Sequence, residues 1–116
     1  MKLKFIITIS LLVSCSNQEE KFNKERWNSE EDRGYYEYRN QMLGDLIKNY
    51  KLKGKTIEEL NELFGNIENY DTLNNIISFE VLQEWSGIDP IYSKYLILKL
   101  DKNKTVKSIS FDEFKR

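Results

Sequence analysis

The chain has 116 residues, 18 basic and 19 acidic side chains, a formal net charge of −1, one cysteine and no histidine. That length accommodates a single small domain. The missing histidine removes the commonest general base and metal ligand, and with them histidine-dependent triads and the usual zinc sites. Lysines are interspersed with acids, so no clustered basic face predicts a nucleic-acid partner.

The N-terminus carries the most specific signal. Lys2 and Lys4 form a short basic start, and Phe5 to Val13 is a nine-residue run without charge. Such a run is the core of a secretory signal peptide and is too short to cross a bilayer as a helix. It closes on Leu12-Val13-Ser14-Cys15, and Cys15 is the sole cysteine. This tetrad resembles a bacterial lipobox. Residues 1–14 are therefore predicted to be a lipoprotein signal peptide, removed so that Cys15, acylated with diacyl or triacyl chains, becomes the new N-terminus. Two or more chains anchor stably where one does not, each buried CH₂ contributing about 0.8 kcal/mol. Loss of Lys2 and Lys4 leaves 16 basic against 19 acidic groups, a net of −3. Ser16, rather than aspartate, follows the cysteine and points to the outer membrane, on its periplasmic face. Gln18-Glu19-Glu20 resembles the acidic tether that sends some Bacteroidota lipoproteins to the cell surface, but reads first as a solvated acidic linker.

Residues 15–26 are almost wholly polar and predict a flexible tether; about ten such residues span roughly 18 Å. The domain proper is expected over 27–116, with Trp27 packing back on it. Residues near 30 to 50 predict an amphipathic helix, with Tyr35, Tyr38, Met42, Leu43, Leu46, Ile47 and Tyr50 at three- and four-residue steps. A second helix starts at the capping box Thr56-Ile-Glu-Glu59, buries Ile57, Leu60, Leu63 and Phe64, and stops at Gly65. Residues 66–75 lack periodicity and read as a loop. Ile77, Phe79, Val81 and Trp85 alternate with polar residues as a first strand. Ser86 to Pro90 reads as a loop, Tyr95 to Leu100 as a second strand with Leu96, Leu98 and Leu100 inward. Asp101 to Lys104 reads as a turn in which Asn103 can take the left-handed conformation. Val106 to Phe114 reads as a third strand with Ile109 and Phe111 inward. The order predicts an α+β fold, two N-terminal helices packed on a three-stranded antiparallel β-meander.

Gly54-Lys-Thr56-Ile-Glu-Glu-Leu60-Asn-Glu-Leu63-Phe64-Gly65 resembles the opening of the SmpA/OmlA/BamE group of small outer-membrane lipoproteins, in which a glycine-threonine turn starts a helix ending in a leucine-glycine pair. The turn Asp101-Lys-Asn103-Lys-Thr-Val106 resembles that group's last hairpin. Trp27 and Arg39-Asn-Gln-Met42-Leu-Gly-Asp45-Leu46-Ile47 resemble an uncharacterised lipoprotein family with that fold. The resemblance covers about residues 27 to 114. Ile67 stands where the group has a proline, and Lys104 where it has the turn glycine. It implies a fold and an envelope location; accessory work in barrel assembly does not transfer with the scaffold.

Three functions follow from these residues. The first is a non-catalytic, lipid-anchored protein-binding or scaffolding module, contacting an envelope protein through the third-strand edge or through 66–75. The second is a small inhibitor or immunity-type protein that captures a basic cleft with a projecting Asp89 and Tyr92. The third is carboxylate catalysis by Glu80 and Glu84, or by Glu58, Glu59 and Glu62, all of which read as solvated faces. No catalytic residue, cofactor or metal is expected; Asp101 to Lys104 is too cationic for a calcium loop. Cys15 is the one assigned site.

Overall fold

The computed structural model describes residues 19–30, 36 and 38–115. The expected signal peptide, Cys15, and Tyr35 of the expected helical stripe lie outside them. The fold is α+β. Helices α1 (Lys24–Trp27), α2 (Arg39–Asn49) and α3 (Ile57–Phe64) precede strands β1 (Asn69–Asp71), β2 (Ile76–Ser86), β3 (Asp89–Leu100) and β4 (Val106–Lys115). The strands form one antiparallel sheet in the order β1-β2-β3-β4.

The polar stretch 19–26, expected as tether, lies against the domain over its described part. The Glu20 N–H donates to Gln41 O at 2.8 Å, and the Phe22 N–H to the Asp45 carboxylate at 2.8 Å. Asn23 Oδ1 accepts from the Arg26 N–H and caps α1. The reason is aromatic. The Phe22 ring sits 5.7 Å from Trp27, 5.3 Å from Tyr50 and 5.8 Å from Phe64. Trp27 and Phe64 close on Phe79 of β2 at 5.7 and 4.4 Å, so rings from three segments form the centre of the core.

α2 begins at Arg39, later than the periodicity near 30 suggests. Upstream of it, Glu30 and Tyr36 pair in an isolated antiparallel bridge, and Tyr38 occupies the N-cap position. Its buried stripe is Arg39, Met42, Leu43 and Leu46, with Ile47 at the margin, 40% exposed. α3 follows the expectation. Thr56 Oγ1 accepts from the Glu59 N–H while Glu59 Oε1 accepts from the Thr56 N–H, and Gly65 ends the helix at φ 85°.

The sheet has four strands rather than three, because part of 66–75 is not a loop. Asn69 to Asp71 pairs with Ile76 to Ser78. The Asp71 carboxylate makes the short return practicable by accepting the N–H groups of Leu73 and Asn74. Ser86 to Pro90 is likewise not a five-residue loop. Ser86 pairs with Asp89, leaving a two-residue turn of Gly87 and Ile88 with Gly87 at φ 65°. β3 thus starts at Asp89, six residues before the expected Tyr95.

Ile77, Phe79 and Val81 are buried as predicted, but a bulge between Glu80 and Leu82 ends the alternation, so Trp85 does not continue the buried row. In the β3–β4 turn the left-handed residue is Lys104 (φ 65°), not Asn103. Asp101 accepts the N–H groups of Asn103 and Thr105, which places the positive φ one residue later. Val106 is buried and Ile109 packs on the core, but Phe111 is 45% exposed rather than inward, because among the described elements β3 alone packs along β4 and no helix reaches it.

Candidate interaction surface

Two places on the molecule combine geometry with chemistry: a polar cluster around Arg39, and the β4 edge with the uncovered sheet face beside it.

Arg39 occupies an apolar position of the α2 stripe and is fully buried. Its Nε donates to Trp27 O at 2.7 Å and its Nη1 to Glu80 O at 3.0 Å. Nη1 and Nη2 also reach the two Glu68 carboxylate oxygens at 3.2 and 3.4 Å. The Tyr36 ring lies 3.3 Å from the guanidinium carbon, and the Trp27 ring 4.8 Å from it. The planar fork thereby joins α1, α2, the entry to β1, and β2. The Tyr36 hydroxyl donates to Glu68 at 2.7 Å; burial, then this bond to an anion, pushes the phenol well above its usual range. Burial also raises the Glu80 carboxyl, against the opposing pull of Arg39. Glu80 Oε2 is buried with no hydrogen-bond partner among the described residues. The sequence signal for this cluster was a basic residue at the first position of the 39-42-43-46 repeat.

The expected carboxylate pair does not assemble there. Glu80 sits with Arg39 and Glu68, whereas Glu84 is exposed and lies opposite Tyr92. Glu58 and Glu62 are exposed, and Glu59 serves the α3 cap. Asp101 directs its oxygens at its own turn, and no group of three potential metal-ligating side chains occurs among the described residues. Asp89 projects at the β2–β3 tip, but Tyr92 is half-buried with its hydroxyl beside Glu113.

Among the described residues, the second face of the sheet is uncovered. An open groove of about 610 Å³ crosses it, lined by Tyr70, Ile76, Ile97 and Lys99 among others. Beside a separate depression, Phe114 is 61% exposed and stands edge-on to Tyr95 at 6.1 Å. β4 itself is the outer strand of the sheet. The first part of its edge is covered by the α2–α3 linker. The Gly54 N–H donates to Val106 O at 2.8 Å, the Val106 N–H to Lys55 O at 3.0 Å, and Thr56 bridges Thr105. From Lys107 to Lys115 no other strand pairs with the outer edge among the described residues. The third-strand edge proposed from sequence is thus present as β4, and the segment 66–75 contributes Tyr70 to the groove.

No protein-family model matches the chain, and no curated protein or solved structure does.

Proposed function

We propose that the protein is a bacterial envelope lipoprotein, anchored in the outer membrane through acylated Cys15, that acts without catalysis as a protein-binding or scaffolding module. The observation that carries the anchor is Leu12-Val13-Ser14-Cys15 closing an uncharged run, with the chain's only cysteine where acylation requires it. Support for the binding role is the β4 edge from Lys107 onward, a row of backbone groups that no other described strand pairs, flanked by exposed Phe111 and Phe114. The likeness of residues 54–65 to small outer-membrane lipoproteins points the same way.

The anchor is tested by metabolic labelling with an alkyne fatty acid, followed by fractionation. The wild-type chain is expected to carry label and sediment with membranes, whereas Cys15→Ala loses the label and fails to be processed. Unlabelled wild-type protein in the soluble fraction would overturn the reading.

A further inference from the structure

We propose that the β4 edge pairs with the β4 edge of a second copy of this chain, antiparallel and centred on Ser110, so that two four-stranded sheets join into one. This rests on the binding-module reading and names its partner.

A two-fold axis perpendicular to a sheet keeps each residue on its own face, so only registers that pair odd positions with odd, or even with even, keep the exposed and core-side rows aligned. Centred on Ser110, the pairs are Ile109 with Phe111, Ser108 with Asp112 and Lys107 with Glu113, each made twice by symmetry. The side chains of this strand match in charge and polarity at every step. Ile109 faces the core side and Phe111, its neighbour but one, is 45% exposed, so the pairing covers a ring that the monomer leaves in water. The flanking registers do not match. Centring on Phe111 sets Lys107 against Lys115 and Ile109 against Glu113. Centring on Ile109 sets Lys107 against Phe111 and carries four residues of the partner strand, from position 112 on, past the point where Gly54 and Lys55 already hold the edge, against two in the Ser110 register.

The charges on this edge are the usual device that repels foreign strands. Here Lys107 and Glu113 are complementary to each other at the spacing that self-pairing uses, so they exclude a generic strand and admit a copy. The linker over Val106 marks the end of the free edge next to Lys107, where the pairing stops.

The test uses the full chain expressed in its envelope. Ser110→Cys places a thiol on the axis, where paired Cβ atoms lie about 5 Å apart. Ser108→Cys places it roughly 13 Å from its symmetry mate. Mild oxidation is expected to convert Ser110→Cys, and neither Ser108→Cys nor wild type, to a species of doubled mass joined at position 110. In the Ser110→Cys background, Lys107→Glu or Glu113→Lys is expected to reduce that species at least fivefold, and the two together to restore it. A Ser110→Cys chain that folds but joins no better than Ser108→Cys overturns the proposal, as does a charge swap that fails to restore it. A band containing a different protein overturns self-pairing and leaves the binding-module reading standing. Doubling of the wild-type chain through Cys15 would instead sink the acylation reading without touching this one.

Discussion

Arg39 Nη1 donates to the backbone carbonyl of Glu80 at 3.0 Å, across 41 positions of sequence. β1 pairs with β2 only as far as Ser78, so the Glu80 carbonyl lies beyond the reach of the short first strand. The guanidinium takes the place of the missing strand at that point. It also holds Trp27 O, so one buried side chain satisfies two backbone acceptors and fixes the turn after α1.

Arg39→Met should therefore cost about 3 kcal/mol, because it orphans two backbone acceptors and removes the cation facing Glu68. Arg39→Lys should recover little of this, since a point charge cannot reach Trp27 O, Glu80 O and Glu68 together. Urea denaturation followed by tryptophan fluorescence measures both; a loss under about 1 kcal/mol for Arg39→Met would show that water replaces the fork.

Lys104 occupies a left-handed conformation at φ 65° in the β3–β4 turn. A β-carbon there costs about 1 kcal/mol, and glycine avoids it. The Lys104 ammonium donates to Asn75 Oδ1 at 2.6 Å in an exposed position, which offsets only part of that cost. Lys104→Gly should raise stability by about 0.5–1 kcal/mol, whereas Lys104→Ala, which loses the bond and keeps the strain, should not. Equal midpoints for the two variants would refute the strain account.

The pH dependence should have two limbs. Burial raises Glu80 above its ordinary 4.5, so the folded state binds this proton more tightly than the unfolded chain. Stability from this group therefore increases as pH falls from neutral toward 4.5. Asp45, Asp71 and Asp101 accept hydrogen bonds from backbone N–H groups and side chains, which hold them below their ordinary 3.8. Their contribution is complete above that value and is lost as pH falls through the lowered values. Thermal melts from pH 7 to pH 2 should pass through a maximum near pH 4–5. Glu80→Gln should flatten the upper limb and leave the acid limb unchanged; an unaltered upper limb would assign it to another group.

The amino-acid sequence by itself determined the features that depend on neighbours in the chain. The capping box of Thr56 and Glu59 is read from adjacent residue types, the same kind of signal on which the proposed acylation of Cys15 rests. The stop at Gly65 and the alternation of Ile77, Phe79 and Val81 are local in the same way, since each follows from a turn chemistry or a side-chain period. What only the tertiary structure decided depends on distant partners. Asn69 to Asp71 has no strand signature, and becomes β1 because β2 offers it an edge. Phe22 leaves a polar stretch because Trp27, Tyr50 and Phe64 assemble an aromatic pocket for it. Trp85 and Phe111 fit an alternating pattern yet fall outside the buried core, one beyond a bulge, the other on a strand that none of the described helices covers. Arg39 sits in an apolar stripe, and its burial is explained only by Trp27 O, Glu68 and Glu80 O, which the fold brings to it from 12, 29 and 41 positions away. Periodicity reports which face of an element turns inward; it carries no record of where the covering layer ends or which distant acceptor a buried cation must meet.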